Sequence, residues 1–138
     1  MKKEKQINKG FMTVEIIVAV SIIVVSVLAA MTVTQKSISV SRQALHTSQA
    51  SLLLEEGAEV TRILRDNAWS NISSLSVGTN YYPTFSSSWT FSTTPSNIGI
   101  FTRTVTIANV NRDATSGNIV LSGTNDPGTK LITVTVSW

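Results

Sequence analysis

Between Glu15 and Lys36 the chain carries no charged residue, and Ile16 to Val33 reads IIVAVSIIVVSVLAAMTV, apolar except for Ser21, Ser26 and Thr32. No other feature of these 138 residues restricts the fold as strongly. Eighteen residues at helical rise cover roughly 27 Å, close to the hydrocarbon thickness of a bilayer. The run contains neither proline nor glycine, so an unbroken helix is expected, its serine hydroxyls bonding back to the preceding turn. A chain of this length has room for one small domain, and this segment is expected to stay out of its water-soluble core.

Charge then orients the segment. Lys2, Lys3, Lys5 and Lys9 face only Glu4, and such a cluster holds its end of a membrane helix in the cytoplasm, leaving the larger C-terminal portion outside. The formal charge of +3 comes from this cluster. Setting residues 1 to 10 aside, eleven basic residues less four leave seven, and eight acidic residues less one leave seven. A neutral remainder argues against a nucleic-acid footprint over the fold. There is no cysteine, hence no disulfide frame and no thiolate metal site.

Glu15 does not suit a plain anchor. It stands one residue before the apolar run, and an ionised carboxylate at membrane depth costs on the order of 2.5 to 3.5 kcal/mol. The surrounding sequence Lys9-Gly10-Phe11-Met12-Thr13-Val14-Glu15-Ile16-Ile17-Val18-Ala19 resembles the leader junction of type IV prepilins and type II secretion pseudopilins, with the likeness extending from Met1 to about Gln35. The resemblance implies that a membrane peptidase cuts after Gly10 and N-methylates Phe11, leaving Glu15 as the fifth residue of the mature chain. It also implies that Glu15 pairs with the terminal amine of a neighbouring subunit, so that two charges, each costly alone, neutralise one another and set axial register. Glycine suits the cut because it leaves the scissile backbone accessible.

Two blander readings stay open. A conventional secretory signal has a basic start, an apolar stretch and a small-residue cut site, for which Val27-Leu28-Ala29-Ala30 would serve. An ordinary signal anchor explains the lysines and the span, but treats Gly10, Phe11 and Glu15 as coincidence. The mature N-terminus separates the three: N-methylated Phe11, Met31 or Ala30, or an intact Met1.

Past the apolar run, Lys36 to Asn67 has no proline and one glycine, with Ile38, Leu45, Leu52, Leu53, Val60 and Leu64 spaced as on an amphipathic helix. Helix from Phe11 to Asn67 would be roughly 85 Å long, a length natural to a filament subunit. Glu55, Glu59, Arg62 and Asp66 stand three or four apart, the pattern of a solvated, salt-linked face in which Glu59 meets Arg62 and Arg62 meets Asp66. Gly57 marks a bend or a close packing site.

From Ser70 the composition turns to Ser, Thr, Asn and Gly with β-branched runs. Ile100 to Ile107 alternates, with Phe101, Val105 and Ile107 on one side and threonines on the other, as in a half-buried strand. Lys130 to Trp138 repeats this with Ile132, Val134, Val136 and Trp138, and Asn118 to Ser122 supplies a shorter strand. The clusters Asn111-Arg112-Asp113 and Thr124-Asn125-Asp126-Pro127-Gly128 are expected as the turns of an antiparallel meander. Tyr81 to Phe91 is either a hairpin or a loop joining helix to sheet. The fold class is therefore α+β, a long N-terminal helix packed on a small antiparallel sheet, which is also what the pilin resemblance implies. The expected segments are a leader over 1–10, an assembly helix over 11–35, its amphipathic continuation over 36–69 and a β-rich extracytoplasmic domain over 70–138.

Arg62 to Trp69 and Ile132 to Trp138 resemble the minor-pilin type. Thr32 departs from the helix-kinking proline of many major pilins, and the disulfide loop of adhesive pilins is missing. Related sequences often continue through another strand beyond the position of Trp138, so an open sheet edge is expected.

No site chemistry emerges elsewhere. His46 is the single histidine, expected to face solvent, which leaves no Ser-His-Asp or Cys-His arrangement and no second imidazole for a metal. Asn111, Asp113 and Thr115 faintly resemble a calcium loop, but Ser122 stands where a bidentate glutamate is needed. Asn71-Ile72-Ser73 fits a glycosylation acceptor, a pattern that recurs by chance. The sequence points to no cofactor and to no enzyme. The expected function is that of a structural filament subunit, with prepilin peptidase, other pilin subunits, an inner-membrane assembly platform with its ATPase, and membrane lipid as partners. The alternative is a tip or membrane-anchored binding protein whose β domain recognises a surface, an exported protein or DNA through Tyr81, Tyr82, Trp89 and Trp138.

Overall fold

The computed structural model describes residues 9–138, with side chains from Met12 onwards. Helix α1 runs without interruption over Lys9–Asn67, and a single turn, α2, follows at Ser70–Ser73. Six strands complete the chain: β1 (Asn80–Phe85), β2 (Trp89–Ser92), β3 (Asn97–Ile98), β4 (Phe101–Arg112), β5 (Ile119–Val120) and β6 (Thr124–Ser137). This is the α+β architecture expected from the two periodicities. By contacts the chain divides into two compact units, Met1–Leu45 and His46–Trp138.

In the first unit the helix is held by its own backbone, and its hydroxyls add local bonds. Ser21 Oγ donates to the Ile17 carbonyl, Ser26 Oγ to Ile22 and Thr32 Oγ1 to Ala29, each at 2.7 Å, so no polar side chain in the run needs an outside partner. In the second unit β4 is the central strand. It pairs antiparallel with β6 along its whole length and, on other stretches, with β1, β3 and β5. Tyr81 to Phe91 is a hairpin, with Tyr82 opposite Ser92 and Phe85 opposite Trp89.

The core lies between the end of α1 and one face of the sheet. Val60 and Leu64 from the helix, Ile72 from α2, and Tyr81, Val105 and Ile107 from the sheet are all buried, with Leu75, Trp89, Phe91, Ile132 and Val134 packed around them. Gly57 is a close packing site: a Cβ there would stand 2.7 Å from Val134 Cγ1 and 3.1 Å from Arg103 Cδ. Small or buried Ala50, Gly57, Val60, Thr61 and Leu64 therefore form the stripe that meets the sheet.

Several expectations change. Ile38, Leu45 and Leu52 do not join that stripe and are exposed, because Leu45 and Leu52 lie about 140° and 200° around the helix from Ala50. Thr124 to Gly128 is not a turn but part of β6. The register slips between Asn109 and Val110, which face Lys130 and Asp126, so Pro127, Gly128 and Thr129 bulge out of the ladder. Proline has no N–H to give a ladder, and the bulge is where it is tolerated. Likewise Asn111 and Arg112 extend β4, and the turn starts only at Asp113.

Candidate functional site

The cleavage, methylation and charge-pairing residues expected from sequence fall on the first unit. The Gly10 and Phe11 side chains lie outside the described residues, so the cleavage and N-methylation positions have no side-chain geometry to report. Glu15 stands on α1 and is exposed. Ahead of it the helix surface is apolar. Every large hydrophobic residue from Met12 to Val33 is at least half exposed, Val24 least at 50% and Val33 most at 69%. No described residue covers this apolar surface, and surfaces of such size suit contact with lipid or with another protein. The helix is long and apolar enough to cross a membrane, a property that some signal sequences share. Its backbone groups are satisfied internally and its serine and threonine hydroxyls bond back to the helix, which is what a nonpolar surrounding requires.

In the second unit the most unusual group is Arg103. Its strand parity places it on the buried face between Phe101 and Val105, and its side chain is 2% exposed. Nη1 donates to Glu56 Oε2 at 2.5 Å and, at 3.5 Å, to the Leu53 carbonyl of α1. The guanidinium carbon sits 5.9 Å from the centre of the Trp89 ring, a cation–π contact, while Nε has no hydrogen-bond partner among the described residues. Glu56 thus meets the sheet, although its side chain stays 43% exposed beside the solvated acidic face. On that face Arg62 pairs with Glu59 at 3.2 Å as expected, but Asp66 is held by Arg65 at 2.8 Å rather than by Arg62. Sequence reasoning passed over Arg103, although the alternation of Phe101, Val105 and Ile107 put residue 103 on their face.

The four candidate contact aromatics divide. Tyr81 is core, its hydroxyl accepting from the Ser76 N–H at 2.9 Å, and Trp89 is half-buried over Arg103. Tyr82 is half-buried. Trp138 remains 55% exposed while packing edge-on against Phe101. His46 does not simply face solvent: it is half-buried, edge-on to Phe101 with ring centres 6.0 Å apart.

Asp113, the centre of the calcium-like loop, spends one carboxylate oxygen on its own backbone. Oδ1 accepts from the N–H groups of Thr115 and Ser116 and from Ser116 Oγ, and these bonds hold its carboxyl below the usual range. Gly117, at φ 69°, closes the loop. Asp126 is pinned more firmly. Arg112 Nε at 2.6 Å, Thr129 Oγ1 at 2.7 Å and the Gly128 N–H at 2.9 Å all donate to it, lowering its carboxyl to about 2. Among the described residues no group of three His, Cys, Asp or Glu is placed to hold a metal ion. Comparison with protein-family models, with curated proteins and with solved structures finds no match to the chain.

Proposed function

We propose that the chain is a minor structural subunit of a type IV pilus or type II secretion pseudopilus, cut after Gly10 by a prepilin peptidase and assembled through its N-terminal helix. The observation that carries this reading is the apolar surface of α1: from Met12 to Val33 it is regular, uncharged after Glu15 and left open by the fold. In lipid that surface holds the subunit in the membrane. In a filament it packs against the same surface of neighbours, with an assembly platform and its ATPase moving it from one to the other. Cleavage creates a positive amine at Phe11, and the resemblance implies that Glu15 takes as its partner the amine of a neighbouring processed subunit.

The test is the mature N-terminus. Co-expression with a prepilin peptidase should give a chain beginning at Phe11 and heavier by one methyl group in mass spectrometry. A start at Met31 or Ala30, or an unprocessed Met1, overturns the reading. Glu15→Ala should still be cut and methylated but fail to enter filaments, as followed by immunoblotting of sheared material.

A further inference from the structure

Among the described residues strand β6 has a partner on one side only. Its residues pair with β4, and no other described strand lies along its outer edge. Edge strands are usually guarded by proline, lysine or a bulge. Here all three guards, Pro127, the slip at Asn109/Val110 and Lys130, sit in the first half of the strand, and Leu131 to Ser137 has none. Its outward residues Thr133, Thr135 and Ser137 are exposed, and their β-branched or small side chains suit another strand beside them.

A groove opens beneath this unguarded edge. Its volume is about 260 Å³, and its apolar wall is made by Ala58 of α1, Trp69, Ile72, Ile132 and Val134. No residue of β4 lines it, so it lies on the outer side of β6. Among the described residues Arg62, Arg65 and Lys130 are the charged ones lining it, and all are cationic, with Lys130 Nζ also donating to Asn109 Oδ1 at 2.7 Å. Glu59 and Asp66, the acids that pair with the two arginines, stand outside the lining. A strand laid along β6 would turn alternate side chains toward this groove. The ladder demands an extended backbone, and the groove selects an apolar side chain with acidic ones beside it.

We propose that the outer edge of β6 is a strand-addition site, which takes an extended segment of a partner protein carrying an apolar residue flanked by acidic residues on the groove side. Main-chain bonds to Leu131–Ser137 supply adhesion, and the groove supplies selectivity. The site does not depend on how the N-terminal helix is processed.

The test uses the full chain, isotope-labelled, in detergent micelles, titrated with the blocked peptide Thr-Glu-Thr-Val-Thr-Glu-Thr, whose Glu, Val and Glu share one face. Binding should shift the amide signals of residues 131–137 and the Trp69 indole, and slow hydrogen exchange at the outward amides of β6. Methylating alternate peptide amides, which removes the ladder without touching the protein, should abolish those shifts. Replacing both glutamates by lysine should weaken binding by roughly tenfold, as should the exposed double change Arg62→Glu, Arg65→Glu, through loss of two surface ion pairs. The proposal fails if the parent peptide leaves β6 unperturbed, or if the N-methylated peptide binds as well. It also fails if the outward amides are already protected because two copies join through β6, seen as a concentration-dependent dimer in sedimentation.

Discussion

Arg103 shows how one residue ties helix to sheet. Its charge is withdrawn from water and met mainly by Glu56, which is itself 43% exposed. Removing Glu56 strands the buried guanidinium, whereas removing both charges restores a plain apolar contact. Glu56→Ala should therefore lower stability by about 2 kcal/mol, and adding Arg103→Leu should recover most of that loss. Chemical denaturation of the two variants beside the parent checks this, and equal losses in both would contradict it. Asp126 makes a pH prediction. Its carboxyl is lowered from an ordinary 3.8 to about 2 by bonds from Arg112, Thr129 and Gly128. A depressed folded value adds stability above the unfolded pKa and loses it as pH falls through the folded one. Stability should thus decline between about pH 4 and pH 2, with a carboxyl carbon signal for Asp126 titrating near 2, and Asp126→Asn should flatten that part of the profile.

At the scale of elements, α1 changes its task along its length without changing its geometry. From Ile16 to Val33 it presents apolar residues all round, which suits a nonpolar surrounding. From Ala50 onward one narrow stripe is buried, Ala50, Gly57, Val60, Thr61 and Leu64, and at Gly57 the side chains of Val134 and Arg103 come close. Gly57 leaves no room for a side chain. Alanine there gains about 1 kcal/mol of helix propensity but drives its Cβ into Val134 Cγ1, and overpacking of that kind costs about 1 to 3 kcal/mol. Gly57→Ala should be net destabilising, seen as a lower unfolding midpoint. A rise would mean that Val134 yields freely. The heptad-like spacing of Leu45 and Leu52 suggests a continuous apolar face, although both are exposed and of the residues between them only Ala50 is buried.

At the scale of the molecule, the two units differ in what completes them. His46–Trp138 has its own core around Val60, Val105 and Ile107, whereas the described part of Met1–Leu45 buries nothing. Deleting residues 1–45 should therefore yield a chain that stays in solution without detergent and unfolds cooperatively with the β signature retained. Circular dichroism and calorimetry would check this, and aggregation of the shortened chain would show that the apolar helix is needed by the fold. The full chain should need detergent or lipid to remain dispersed.

The apolar run, the unbroken helix, the β4 alternation and the α+β class are properties of local order. Helical and strand periodicities, charge-free length and missing proline act over a few residues, so the sequence alone determined them. It also supplied Gly10, Phe11 and Glu15 as a processing hypothesis, which no contact in the fold bears on. Arg103 on the core face was legible from parity, but its partner Glu56 was not, since the two stand 47 positions apart. The bulge at Pro127, the hairpin at Tyr81–Phe91, and the groove between Trp69 and the open side of β6 were decided only by tertiary structure. Each depends on which strands pair and in what register, and pairing is chosen by the summed burial of residues distant in the chain rather than by any one segment's preference.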